Sequence, residues 1–199
     1  MKALFQWIVM AALTLAAYGQ DPLRVLPKNY QLAFENDVVR VLREHYGARE
    51  KLPLHDHSKT PTIYVYLSDS GPVRFNHTGS ESFELERCAV QTGGFRLSPG
   101  RVETHEVENT GDTPSDFLRV ELKAVPLGTT SLGGRFAPPA NLDQSGTKIE
   151  FEDANLRILR TICGARDKLD PATSPKSRTA NCFLNRSGAL DSRRIGKRT

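Results

Sequence analysis

Little in this chain speaks of thiol or nucleotide chemistry. Its 199 residues include three cysteines, Cys88, Cys163 and Cys182, and no CxxC pair, which excludes a cysteine-based zinc site. Trp7 is the sole tryptophan, and the two methionines are Met1 and Met10, so none of these falls where a folded domain would use it. There is no phosphate loop and no dinucleotide fingerprint; Gly93-Gly94 and Ser145-Gly146 read as turn glycines. Residues 34–123 carry no 3.6-residue amphipathic stretch, which excludes a helical bundle there. Basic charge is also scarce outside one segment. Residues 171–199 hold seven basic side chains against Asp191 alone, so the net +4 leaves the rest of the chain at −2. The sequence pI near 9.0 is therefore no argument for a nucleic-acid-binding core.

What is present begins with a leader pattern. Lys2 supplies a positive charge, residues 3–17 are apolar apart from Gln6 and Thr14, and Ala17-Tyr18-Gly19 places small residues where a signal peptidase reads. A signal peptide over 1–20 and a periplasmic or secreted protein are expected, with an uncleaved N-terminal anchor as the alternative. The run is short for a transmembrane helix, and no stable membrane insertion is expected. No cysteine follows the run, so a lipid anchor is not indicated. In an oxidising compartment Cys163 and Cys182 are the local disulfide option.

The middle of the chain alternates with period two. Residues 37–46 place Val39, Val41 and Arg43 on one face and Val38, Arg40, Leu42 and Glu44 on the other. Residues 62–68 place Ile63, Val65 and Leu67 opposite Tyr64 and Tyr66. Short strand-like runs follow at 73–76, 82–87, 94–97, 103–108 and 116–123, separated by Gly, Pro, Asn, Ser and Thr clusters. Many short strands at this spacing predict an all-β sandwich or barrel. Residues 126–150 shift to Gly, Pro, Ser, Thr and Asn and read as a linker.

The chain then repeats itself. FENDVVRVLREHYGAREKL at 34–52 and FEDANLRILRTICGARDKL at 151–169 match at ten of 19 positions, without a gap and at a constant offset of 117. A partial second domain over 151–170 is expected, either truncated or with its reading frame lost, followed by a basic, disordered tail over 171–199. Leu156 and Ile158 need an apolar surface. The segment is expected to dock on the first domain or to pair with another subunit, which leaves a homodimer open; the bland alternative is loose attachment.

His55-Asp56-His57 is the sharpest chemical feature. In a strand, residues i and i+2 share a face, so both imidazoles project together and can share one metal ion. A third ligand must come from another strand, and His105 is the candidate. Neutral imidazoles suit zinc, iron, nickel or copper. Glu103 shares a face with His105 and is a candidate extra ligand or base, against a plain surface role. At offset 117, His55 and His57 become Ala172 and Ser174, so any such site is single. His45 reads as structural or exposed, and His77, in a turn-rich stretch, as solvent-facing.

These residues resemble two cupin motifs. Gly47, His55, His57 and Gly71 resemble the first, a glycine followed by HxH, a glutamate and a second glycine. Gly94, His105 and Asn109 resemble the second, G-x5-P-x-G-x2-H-x3-N, with Pro99 and Gly100 one and two positions early. The spacing from Gly47 to His55 is two residues longer than the common pattern. Pro61 and Thr62 stand where the first motif has its glutamate ligand. The resemblance covers about residues 34–123. It implies a cupin-type double-stranded β-barrel (jelly roll) over 34–125, in a bicupin arrangement whose second domain is incomplete. It also implies one divalent metal ion (iron, zinc, manganese or nickel) held by His55, His57 and His105. Two functions follow: a metal-dependent oxygenase- or isomerase-like enzyme on a small molecule, or a non-catalytic module binding a sugar or small acid, with Tyr64, Tyr66 and Phe75 at the barrel mouth. A degenerate cupin without metal is the remaining reading.

Overall fold

A computed structural model describes residues 20–79, 82–129, 131–140 and 145–164. The leader over residues 1–19 and the tail over 171–199 lie outside the described residues, as do the end of the expected repeat and Cys182. One helical turn, α1 (Pro22–Val25), is capped by Asp21, whose carboxylate accepts from the Leu23 amide. Twelve strands follow among the described residues: β1 (Tyr30–Glu35), β2 (Val39–Tyr46), β3 (Lys51–His57), β4 (Thr62–Tyr66), β5 (Val73–His77), β6 (Phe83–Arg87), β7 (Phe95–Ser98), β8 (Glu103–Asn109), β9 (Ser115–Leu122), β10 (Gly134–Phe136), β11 (Gly146–Glu152) and β12 (Arg157–Ile162). Among these residues no helix is long and apolar enough to cross a membrane.

The strands form a six-stranded sheet in the order β1-β2-β9-β4-β7-β10, a four-stranded sheet in the order β3-β8-β5-β6, and a separate hairpin, β11-β12. All pairings are antiparallel. The two larger sheets face each other around an interior rich in aromatic and polar side chains, to which the four-stranded sheet adds Leu52, Val73 and Val107. The inner face of the six-stranded sheet carries Glu44 and Tyr46 from β2, Phe117 and Arg119 from β9, Tyr64 and Tyr66 from β4 and Arg96 from β7. Cross-strand pairing puts Tyr64 beside both Arg119 and Arg96, so these side chains share one face.

The aliphatic face of the same strands points outward and is covered there. Val41, Leu67 and Leu118 pack with Phe34, Val39, Val65 and Val120. Phe95, Leu97 and Leu132 pack with Ile63, Val65 and Phe136, and with Phe151, Leu156 and Ile158 of the β11-β12 hairpin. Of the segment expected to dock, the described residues 151–164 thus pack onto the back of the six-stranded sheet. Arg160 of β12 adds a 2.7 Å bond to the Gly93 carbonyl and lies over the Phe95 ring. Strand β10 falls inside the 126–150 stretch read as a linker. It pairs with β7, and Phe136 stacks on Phe95 at 4.4 Å. Three residues beginning with glycine carry no readable alternation, and Leu132 is an isolated apolar residue among Gly, Ser and Thr; tertiary burial decides both.

The β11-β12 hairpin copies β1-β2 in shape as well as sequence. At the same offset of 117, Tyr30↔Glu44, Gln31↔Arg43, Leu32↔Leu42, Phe34↔Val41 and Glu35↔Arg40 become Thr147↔Thr161, Lys148↔Arg160, Ile149↔Leu159, Phe151↔Ile158 and Glu152↔Arg157. The register shift falls at the same place in both. The turns agree too. Asn36 Oδ1 accepts from the Val38 and Val39 amides, and Asp153 Oδ1 from the Asn155 and Leu156 amides.

Candidate metal centre

Strand β3 aims its histidines by a bulge. From Leu52, plain alternation would turn Leu54 and Asp56 inward and both histidines out. A register shift between Leu52 and His55 corrects this, so Leu52, His55 and His57 are all buried. Pro53 sits at the shift, where a residue lacking an amide proton costs the ladder nothing. Its carbonyl accepts from His55 Nδ1 at 2.9 Å. Strand β8 enters after the turn at Gly100, whose φ of +82° and close approach to the Thr60-Pro61 peptide leave no room for a side chain. Its far end is tied by Asn109, fully buried, whose amide donates to the Gly47 and Thr113 carbonyls at 2.8 and 2.9 Å. The two motif-like segments are thereby fastened to each other.

The register then assembles the cluster. His105 lies directly between His55 on β3 and His77 on β5. The rings of His55, His57 and His105 have centroids 4.8–5.1 Å apart. One ligand atom from each lies within 4.8 Å of the other two. Two atoms on opposite sides of a cation at about 2.0–2.2 Å stand up to about 4.4 Å apart, so small side-chain adjustments suffice for a shared ion. Both ring nitrogens of His105, and Nδ1 of His57, are buried without a hydrogen-bond partner. Buried imidazole nitrogens left unpaired are costly, and a cation is the partner that fits them. Burial lowers all three histidines, His105 to about 3 and His57 well below the ordinary imidazole value, so each is neutral at pH 7, the ligating form.

His77 is corrected by the structure: it is buried, not solvent-facing. It ends β5, stacks on Phe83 at 4.4 Å and lies 4.9 Å from the His105 ring. The turn residues that follow it mask a position held by cross-strand pairing. His45 is half-exposed and bonds Asp116 at 3.0 Å, as its place near a strand end suggests. Glu103 is inward but engaged. It accepts from Arg119 at 3.1 Å and from Arg101 at 3.4 Å. Burial pushes its carboxyl up more than any one neighbour lowers it, but the charge and hydrogen bond of Arg119, with the other positive groups around it, together hold it at about 2. An ionised, arginine-bound carboxylate is a poor base.

Around the histidines lies a narrow cavity with about 30 Å³ of free space, lined in part by Tyr64, Tyr66 and Phe75. Two features of its wall were invisible in the sequence. First, Arg87 and Arg96 face it without a carboxylate. Arg87 is 5% exposed, donates to the Ser115 and Ser70 hydroxyls at 2.9 and 3.2 Å, lies over the Tyr66 ring, and leaves Nε unpaired. Arg96 also has an unpaired Nε and lies 4.1 Å over the Tyr64 ring. Second, Glu44 is buried with Oε1 unpaired, and burial lifts its carboxyl to about 7.

Glu44 ends a chain of hydroxyls leading to the histidines. The contacts are Glu44 Oε2 to Tyr46 Oη at 3.1 Å, Tyr46 Oη to Tyr30 Oη at 3.0 Å, and Tyr30 Oη to His55 Nε2 at 2.8 Å. The Pro53 carbonyl can only accept, so His55 Nδ1 carries the proton and Nε2 accepts from Tyr30. Tyr46 Oη donates to Glu44 Oε2, which leaves the Tyr30–Tyr46 contact without a proton unless Glu44 is itself protonated and the Tyr46 hydroxyl turns to Tyr30. A neutral Glu44 satisfies the whole chain. Its folded pKa lies above the unfolded value, so ionisation penalises the folded state as pH rises from about 4.5 through about 7. Glu44→Gln should therefore stabilise the protein at pH 8 by on the order of 3 kcal/mol and change little at pH 4, as read from urea unfolding at both pH values.

Two facing antiparallel sheets, with imidazoles from β3 and β8 converging between them, decide the architecture. The fold is that of a cupin barrel. No family model matches the chain, and no curated protein matches it. Solved structures of the cupin fold do. A cupin domain from Bordetella pertussis Tohama I is 21% identical, with a TM-score of 0.39, covering 48% of this chain and 92% of that one. A double-stranded β-helix protein from Klebsiella pneumoniae is 16% identical, with a TM-score of 0.34, covering 55% and 84%. A salicylate 1,2-dioxygenase variant from Pseudoaminobacter salicylatoxidans, in complex with gentisate, is 18% identical, with a TM-score of 0.29, covering 42% of this chain and 21% of that one.

Proposed function

We propose that this cupin barrel is a metal-dependent site for a small carboxylate, with one divalent cation held by His55, His57 and His105. The observation that carries the reading is the convergence of three neutral, buried imidazoles, among which both nitrogens of His105 and Nδ1 of His57 lack partners. Iron, zinc, manganese and nickel all suit such donors, and the bound cation would supply Lewis acidity and, as iron, redox chemistry toward dioxygen.

The charge of the wall supports an anionic ligand. Arg87, Arg96, Arg101 and Arg119 line the cavity, whereas Glu103 is the ionised carboxylate there and Glu44, lifted to about 7, is partly protonated at neutral pH. Buried cations without counterions are costly, and a carboxylate bound between Arg87 and Arg96 removes that cost. The free space holds only a few waters, so a ligand beyond a few atoms requires the half-exposed Arg101 to move. Glu44 Oε1 supplies a proton, or accepts one, at the cavity wall, the acid/base function that the HxH pattern alone lacked. Non-catalytic binding of the same anion is the second reading, favoured by the absence of any other unengaged carboxyl among the cavity-lining residues.

Export through the leader over 1–20, with the β11-β12 hairpin as the remnant of a duplicated domain, completes the proposal. The support is the sequence pattern and the matched hairpin registers.

Acetate and acetamide test the anion site. In calorimetric titrations of the metal-loaded protein, acetate should bind and acetamide should not. Arg96→Gln should weaken acetate at least about tenfold, the worth of a charge-assisted hydrogen bond. Equal binding of the two probes would remove the carboxylate assignment.

A further inference from the structure

Beside the three histidines lies a phenol oxygen, 2.8 Å from a ring nitrogen of His55, that the HxH pattern does not contain. We propose that the phenol oxygen of Tyr30 is the fourth protein ligand of the bound cation, which takes the place of the proton that Tyr30 now shares with His55. The proposal rests on the metal-binding reading above and adds a donor to it.

The geometry comes from one contact. Tyr30 Oη lies 2.8 Å from His55 Nε2. Because Nδ1 is committed to the Pro53 carbonyl, Nε2 is the atom His55 has left to offer. Two atoms bound to one cation at about 2.0–2.2 Å and at right angles lie about 2.8–3.1 Å apart. A hydrogen bond and a pair of neighbouring ligands thus occupy the same separation. A cation bound to Nε2 must either include Tyr30 Oη or push it away, and Tyr30 is 1% exposed with its ring packed against both His55 and His57.

The site also needs an oxygen donor. Three neutral imidazoles bring no charge to a divalent ion. At the first-motif glutamate position stand Pro61 and Thr62, and the Thr62 hydroxyl donates to the Thr60 carbonyl. Glu103 is bound to Arg119 and Arg101. Tyr30 is an oxygen donor in contact with a ligand histidine and carries no salt bridge. The proton count closes: the cation displaces the phenol proton, which leaves to solvent, and the Tyr46 hydroxyl, 3.0 Å away, can donate to the resulting phenolate. The second hairpin has Thr147 at this place, so Tyr30 shares with the histidines the property of being absent from the copy.

Cupric ion alone is the probe, because copper binds nitrogen and oxygen donors tightest among the divalent first-row ions. The full-length protein is titrated with copper and its visible absorption and resonance Raman spectra are recorded, beside Tyr30→Phe and Tyr46→Phe. The expected result is one equivalent of copper with a phenolate-to-metal charge-transfer band. Tyr46→Phe should keep the band; Tyr30→Phe should lose it while binding copper at least about tenfold more weakly. One equivalent of copper without a phenolate band in the wild type overturns the assignment of Tyr30 and leaves the three-histidine site standing, whether or not the variants fold. A band that survives in Tyr30→Phe overturns it equally. Failure to bind copper at all defeats both this inference and the reading beneath it.

Discussion

Replacing His105 with alanine should lower divalent-metal affinity by more than about 100-fold, beyond the loss expected for an outer-shell partner, while the barrel stays folded. The choice of residue matters. His55 has structural bonds, to the Pro53 carbonyl and the Tyr30 hydroxyl, so removing it would confuse a lost ligand with a lost fastening. His105 has none: both its nitrogens are buried and unpaired. Its ring sits between His55 and His77 on the central ladder of the four-stranded sheet, and its removal breaks no hydrogen bond. Metal content after dialysis against a weak chelator, with circular dichroism to confirm the fold, reads the result. A variant that retains stoichiometric metal would show that the three imidazoles do not act together.

The second large effect is on stability. Arg119 is 2% exposed and joins Glu103 and Glu121, each at 3.1 Å, and the Tyr64 hydroxyl at 3.0 Å. Arg119→Met fills similar volume but leaves two buried carboxylates without this partner, at a cost of about 3–5 kcal/mol. Glu121 keeps only Arg40, at 3.8 Å. The pH dependence identifies the cause. The folded pKa of Glu103, about 2, lies below its unfolded value near 4.5. Its contribution is therefore complete above about pH 4.5 and is lost as pH falls through about 2. In Arg119→Met the carboxylates can take up protons instead, so the gap from wild type should narrow as pH drops from 7 to 4. Urea unfolding at those two pH values checks it. A pH-independent gap would point to packing rather than charge.

Much of the site was legible because strand geometry is local. Residues two apart share a face, so His55 and His57 belonged together before any fold was known. The turn before 103–108 placed His105 on a separate strand. The same alternation divided 62–68 into an aliphatic and a tyrosine face, but period two does not say which face is inside. The usual expectation puts Ile63, Val65 and Leu67 in the interior. Here Tyr64 and Tyr66 line it, because Phe34, Phe136 and the β11-β12 hairpin cover the aliphatic side. Every residue that depends on that choice went unread: Glu44, Arg87, Arg96 and Arg119 as cavity wall, and Tyr30 as neighbour of His55. The bulge at Pro53 was hidden for a related reason. A single extra residue reverses the facing of all that follows, and only pairing with β8 reveals it.

The matched hairpins say something about where the instructions for a shape reside. β1-β2 is woven into a sheet through β9, whereas β11-β12 rests on a neighbouring surface with no third strand in its ladder among the described residues. Both nevertheless bend at the same residue and close with the same side-chain-to-amide turn. Geometry that survives so great a change of surroundings is written in the segment itself. The same local form thus serves two ends, as a strand pair built into a sheet wall and as an apolar cover laid over the outside of that wall.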